Sequence, residues 1–192
     1  MRVALKLLQL HTPKFFKEQA LRELFEATAN AFGREVPSLE TQSFLQRLRT
    51  YARFTAEQAE EYLRRGEDPA RLEARLHRNA RRLGQSLRQR LGITRRRDVL
   101  VMARILYRII DIDFEGSPRG DIVIRRCYFS QFYSPRVCEL MSALDEGLLA
   151  GLAGGGELTF TERITQGCEA CKARFLNQPG SSARGQAERL VS

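Results

Sequence analysis

Residues 121–175 read DIVIRRCYFSQFYSPRVCELMSALDEGLLAGLAGGGELTFTERITQGCEACKARF, and this stretch decides the fold. It holds a strand pattern, a helix that starts at Ser134-Pro135, a glycine run and two further stretches with the alternation typical of β-strands. All four cysteines of the chain lie within it, at Cys127, Cys138, Cys168 and Cys171. Candidate functional residues are therefore expected in this segment.

Helices are predicted upstream of this segment. Capping signals predict five helix starts, at Thr12, Pro37, Thr55, Asp68 and Thr94. After Ile110 the apolar residues alternate with acidic ones, which predicts a strand paired in a hairpin with residues 122–129. The order of elements predicts an α+β fold. In it a helical N-terminal half precedes a four-stranded antiparallel sheet (β-β-α-β-β), with the helices packed on one face.

The chain is expected to form one domain with an appended tail. Residues 1–107 make an arginine-rich helical region, and residues 108–176 make the α+β core, which contains the cysteines and belongs to the same domain. Residues 177–192 have a Pro, Gly, Ser and Arg composition that predicts a disordered tail. No apolar run approaches the ~20 residues of a membrane span, and no export signal is recognisable. We therefore predict a cytoplasmic protein with reduced thiols and no membrane partner.

The positive charge is concentrated in residues 64–97. This segment has twelve Arg and three acidic residues, an excess equal to the whole net charge of +9. Such a surface could bind nucleic acid, phosphate or an acidic partner. However, no aromatic residues lie between these arginines to stack on bases, so a solvated helix face is favoured over a surface that binds nucleic acid.

The helix that starts at Ser134 brings a thiol and a carboxylate onto one stripe. Cys138 lies in its first turn, where unpaired backbone N–H groups could stabilise a thiolate. Ser142 and Asp145 follow four and seven residues later, on the same side. This stripe predicts the margin of a site; the alternative is a small buried Cys beside a solvated Asp.

The four cysteines also suggest a metal site. Cys168 and Cys171 form a C-x-x-C pair, and with Cys127 and Cys138 they could hold zinc or iron through four thiolates. The only histidines, His11 and His77, lie far upstream, so a histidine-based site is not expected.

Glu162 is a candidate acid or base. It falls on the Leu158–Ile164 face of its predicted strand, where an apolar residue is expected. An inward Glu162 would be paired with an arginine such as Arg125 or have a raised pKa. The alternative is a strand end that reaches solvent.

The segment from 108 to 176 resembles the L-2-amino-thiazoline-4-carboxylic acid hydrolase family. The resemblance rests on a strand cysteine, a helix with Cys138 and Asp145, a glycine turn and the closing RITQGCEACKARF. Gly167 and Cys171 match the family's closing Gly-x-x-x-Cys strand, while Phe175 is displaced by two residues. This strand is also similar to the 4-vinyl reductase domain, a small-ligand-binding module, and Cys168 is an additional thiol.

The resemblance implies that water opens a small cyclic substrate at a C–N or C–S bond. It implies a catalytic set of Cys127, Cys138, Asp145 and Cys171. In it a thiolate attacks the amidine-like carbon or a bound metal activates the water, with Asp145 or Glu162 moving protons. An arginine would bind the substrate carboxylate, and the candidates are Arg125, Arg126 and Arg163. The alternatives are a non-catalytic sensor that binds a small ligand or metal in the same pocket, and a nucleic-acid-binding protein that uses residues 64–97. The sequence is also compatible with a homo-oligomer.

Overall fold

The computed structural model describes residues 3–176, so the predicted tail at 177–192 lies outside the described residues. The helices are α1 (Val3–Leu10), α2 (Lys14–Phe32), α3 (Phe44–Arg64), α4 (Pro69–Leu91), α5 (Arg96–Ile109) and α6 (Pro135–Ala153). The strands are β1 (Ile112–Gly116), β2 (Asp121–Cys127), β3 (Glu157–Glu162) and β4 (Cys171–Leu176). Short 3-10 helices follow β2, at Tyr128–Gln131, and β3, at Ile164–Gln166.

The four strands form one antiparallel sheet in the order β1-β2-β4-β3. α6 connects β2 to β3, and β4 then returns between them. The α+β fold with helices first and a four-stranded antiparallel sheet second is therefore confirmed.

The two faces of the sheet differ sharply. Alternate residues of β1, β2, β3 and β4 point to the helices and are buried, at Ile112, Phe114, Ile122, Ile124, Leu158, Ala173 and Phe175. The opposite face carries cross-strand ion pairs such as Arg125 with Glu115 at 2.7 Å. The helices thus cover one face only, as the alternation predicts.

Three of the N-terminal helices, α2, α3 and α5, share one hydrophobic cluster with the sheet. Leu21 and Phe25 of α2, Tyr51 of α3 and Tyr107 of α5 pack in one cluster with Phe114 of β1. Residues 1–107 therefore supply part of the core that covers the sheet.

α4 and α6 pack closely because small residues face each other. A Cβ added at Gly147 of α6 would clash with the backbone carbonyl oxygen of His77 in α4, and one at Gly151 with that of Arg81. Gly84 of α4 meets the backbone of α6 in the same way. This close approach holds α6, and the side chains that it carries, against α4.

Two of the five predicted helix starts, at Pro37 and Thr55, are wrong. Pro37 lies in a segment without helix, and α3 begins after Ser43, whose side chain and Gln46 form a capping box. Thr55 lies inside α3, where its hydroxyl donates to the Tyr51 carbonyl at 3.0 Å. In the part of the chain that the structure describes, no helix has the length and apolar character needed to cross a membrane.

Candidate functional site

A cavity of about 110 Å³ lies between the buried sheet face and the helices. Five of the predicted site residues line it: Cys127, Cys138, Asp145, Arg163 and Cys171. Its wall is otherwise largely apolar or aromatic, with contributions from Tyr107, Phe129, Tyr133, Met141, Leu148 and Phe160. The strand-helix-strand-strand segment therefore brings its thiols, its helical carboxylate and one arginine to a single place.

Asp145 is the central carboxylate of this cavity. The Tyr107 hydroxyl donates to its Oδ1 at 2.6 Å, and the Tyr107 ring stacks on Phe114 at 4.6 Å. The Asp145 side chain is half-buried, and desolvation by the surrounding protein raises its pKa to about 6. The Tyr107 hydrogen bond and the Arg163 charge oppose this rise. Asp145 can therefore exchange a proton near neutral pH.

The three thiols of the cavity are held in the protonated form. Burial raises the pKa of Cys127 to about 12, and burial also raises the pKa of Cys138 and of Cys171. For Cys138 the Thr165 hydroxyl and the Arg163 charge act in the lowering direction, yet the net shift is upward. The expected stabilisation of a Cys138 thiolate by the start of α6 is thus outweighed by desolvation.

Arg163 brings a positive charge to the cavity. Its guanidinium lies 4.5 Å from the centre of the Phe160 ring, a cation–π contact. Its Nη1 atom is buried and has no hydrogen-bond partner among residues 3–176. Of the three arginines predicted to bind a substrate carboxylate, this is the one that lines the cavity.

Arg125 and Arg126 lie elsewhere. Arg125 is paired with Glu115 at 2.7 Å on the exposed face of the sheet. Arg126 is exposed and paired with Asp111 at 2.7 Å. Neither lines the cavity, so the prediction that they bind substrate is not supported by their positions.

The interpretation of Glu162 as an inward acid or base is wrong. The pairing of β3 with β4 shifts between Phe160 and Glu162, and this β-bulge places Glu162 opposite Lys172. Its carboxylate accepts from the Lys172 ammonium at 2.9 Å, with 40% of the side chain exposed. Glu162 therefore forms a surface ion pair with Lys172, and not the predicted pair with Arg125.

The predicted four-thiolate zinc or iron site does not form among residues 3–176. These residues contain no group of three or more His, Cys, Asp or Glu side chains that could hold a metal ion. All four cysteines are free, and Cys168 lies outside the cavity, after the turn at Gly167. The C-x-x-C pair thus separates into one thiol in the sheet and one outside the site.

Two residues of the site do not stand out in the sequence. Tyr107 lies on the buried face of α5, and its position alone indicates an ordinary core aromatic residue. The signal that could have found it is its hydroxyl, because a buried Tyr hydroxyl usually has a hydrogen-bond partner. Thr165 lies in the 3-10 turn after β3, and its buried Oγ1 has no partner in the described part of the chain. Only the tertiary structure shows that Thr165 lines the same cavity as Asp145.

Comparisons with models of known protein families and with curated proteins find no match to this chain.

Proposed function

We propose that the protein hydrolyses a small cyclic compound bearing a carboxylate, as its resemblance to L-2-amino-thiazoline-4-carboxylic acid hydrolases implies. The observation that carries this proposal is that Asp145, Arg163 and three thiols line one cavity. A volume of about 110 Å³ is on the order of that which holds one ring in a protein interior. The apolar wall suits a ring, and Arg163 suits its carboxylate.

Asp145 is the proton-transfer group in this proposal. With a pKa of about 6, its carboxylate is mostly ionised at neutral pH and can accept a proton from an attacking water. The hydroxide portion of that water adds to the ring carbon bonded to nitrogen and sulfur. The C–N or C–S bond then breaks, and Asp145 returns the proton to the departing ring atom, so that one water is consumed overall.

The thiols have a different place in this scheme. Because Cys127, Cys138 and Cys171 all have raised pKa values, little thiolate is present at neutral pH. Attack by water assisted by Asp145 is therefore favoured over direct attack by a resting thiolate. The thiols then line the substrate pocket as small, weakly polar groups.

Turnover of L-2-amino-thiazoline-4-carboxylate tests the proposal. Mass spectrometry should detect a product heavier than the substrate by one water, and kcat/KM should rise with pH through about 6 because the ionised Asp145 is the active form. Asp145→Asn should lower kcat at least a hundredfold. Asp113→Asn, on the exposed face of β1, is the matched control and should leave turnover unchanged. Equal turnover by wild type and Asp145→Asn would contradict the assignment.

A non-catalytic ligand-binding module is the second candidate. It is favoured by the largely apolar wall and by thiols that stay protonated. Calorimetric binding of the same compound without any product would select this function. In that case Asp145 would serve recognition only.

A further inference from the structure

Two unpaired hydrogen-bond donors lie two residues apart in the segment between β3 and β4. The Nη1 atom of Arg163 and the Oγ1 atom of Thr165 are both buried, and neither has a hydrogen-bond partner among residues 3–176. Both side chains line the cavity. One short turn thus brings a cationic donor and a neutral donor to the wall of one cavity, and Arg163 also borders a second pocket beside Glu146.

This arrangement is unusual for a folded interior. Buried polar atoms are nearly always paired, because an unpaired donor forfeits the hydrogen bonds that it makes with water. A pair of unsatisfied donors in one turn, beside one cavity, is the pattern expected where a bound ligand supplies the acceptors.

We propose that Arg163 and Thr165 together form a carboxylate-binding subsite, in which one ligand carboxylate accepts from both side chains. The subsite deepens the proposed function, on which it rests for the identity of the substrate. Two donors match the two oxygens of a carboxylate. A phosphate dianion is disfavoured, because the apolar wall and the nearby Asp145 carboxylate leave its second charge uncompensated.

The turn is held in place before any ligand binds. The Arg163 guanidinium lies over Phe160 at 4.5 Å, and the Gln166 N–H donates to the Arg163 carbonyl at 3.0 Å. The Ile164 N–H donates to Cys171 Sγ at 3.3 Å, which ties the turn to β4. Donors fixed in this way lose little freedom on binding.

Thr165 has one competing role. Its hydroxyl lies close enough to the Cys138 thiol to favour a lower pKa of that thiol, although Oγ1 makes no hydrogen bond of normal geometry. If the hydroxyl served only that thiol, its removal would change the reactivity of Cys138 and leave carboxylate binding unaltered.

Calorimetry with benzoate and benzamide tests the subsite without requiring turnover. Each probe has one ring, and only benzoate carries a carboxylate. Wild type should bind benzoate at least tenfold more tightly than benzamide. Thr165→Val should weaken benzoate binding about tenfold, and Arg163→Met by more, because hydrogen bonds to charged groups are strong. Thr165→Ser retains the hydroxyl and should retain the affinity. Benzamide has one neutral carbonyl oxygen, so its binding should fall less than that of benzoate in Thr165→Val and in Arg163→Met.

Three outcomes would overturn the subsite. They are equal affinity of wild type for the two probes, absence of benzoate binding, and unchanged benzoate affinity in Thr165→Val. Altered alkylation of Cys138 in that last case would assign the Thr165 hydroxyl to the thiol. The comparison on the wild type stands even if a variant fails to fold. Failure of the proposed hydrolysis would be a separate result. In that case calorimetry would still show benzoate binding, while the turnover assay would show no product.

Discussion

At the scale of single residues, the buried Asp145 carboxyl is expected to make stability depend on pH. Its pKa is about 6 in the folded protein, against 3.8 for an ordinary Asp. The folded state therefore binds this proton more tightly than the unfolded state does, and the free energy of unfolding falls as pH rises from about 4 to 6. Above pH 6 the ionised carboxylate lowers the free energy of unfolding by at most about 3 kcal/mol. The side chain is partly exposed, so the actual decrease is smaller.

Asp145→Asn should remove this cost while its amide oxygen still accepts from Tyr107. We expect the variant to exceed wild type in free energy of unfolding by up to about 3 kcal/mol at pH 8, and by less than about 1 kcal/mol at pH 4. Urea denaturation at the two pH values measures both differences. Asp113→Asn, which is exposed on β1, should change the free energy by less than about 0.5 kcal/mol. A difference between Asp145→Asn and wild type that did not grow with pH would contradict the assignment.

Some members of the site follow from sequence patterns and others do not. Cys138 and Asp145 could be grouped in advance because a seven-residue separation fixes both on one side of a helix. Glu162 could not be placed, because a single bulge in β3 reverses the face on which a strand residue lies. Thr165 is a threonine in a turn, and only the folded chain shows that its hydroxyl is buried beside Arg163.

At the scale of secondary-structure elements, the contact between α4 and α6 positions the site helix. Gly147 lies two residues after Asp145, and a Cβ there would clash with the His77 carbonyl oxygen. In an exposed helix Gly→Ala stabilises by about 1 kcal/mol, since alanine is the better helix former. Here the neighbouring atom is backbone, so the helices must separate.

Gly147→Ala is therefore expected to destabilise the protein by about 1 to 3 kcal/mol, the usual cost of overpacking. Thermal or urea denaturation measures the change. Ser86→Ala, at an exposed position of α4, provides the control and should stay within about 0.5 kcal/mol of wild type. A stabilised Gly147→Ala protein would show that α4 and α6 do not approach as closely as described.

Element boundaries show where local signals compete. Pro37 and Thr55 both carry helix-start chemistry, yet α3 begins at Phe44 and runs through Thr55. The capping box at Ser43 prevails because the helix that it starts buries a long stripe, including Leu48, Tyr51 and Ala52. Local sequence preferences indicate several possible helix starts, and tertiary packing determines which of them is used.

At the scale of the whole molecule, the order of elements was enough to predict the α+β class, because strand alternation and helix caps are local features. The cavity was not predictable in this way. Its lining comes from α2 through α6, the sheet and two turns, so its existence depends on how all these elements pack.

The shared core predicts that residues 108–176 do not fold alone. Eight of the eighteen buried residues in the cluster that covers the sheet come from α2, α3 and α5. Without residues 1–107 the apolar face of the sheet, and the side of α6 that packs on α4, would be exposed to water. A fragment of about 70 residues has little spare stability to offset that loss.

The isolated 108–176 fragment should therefore lack cooperative thermal unfolding and dispersed amide proton signals, whereas the full chain should show both in a single transition. Adding residues 1–107 as a separate polypeptide should restore folded structure if the missing helices alone are responsible. A fragment that unfolded cooperatively by itself would mean that α6 and the sheet are stable without their helical cover. The cavity would then be an interface between two units and not the interior of one.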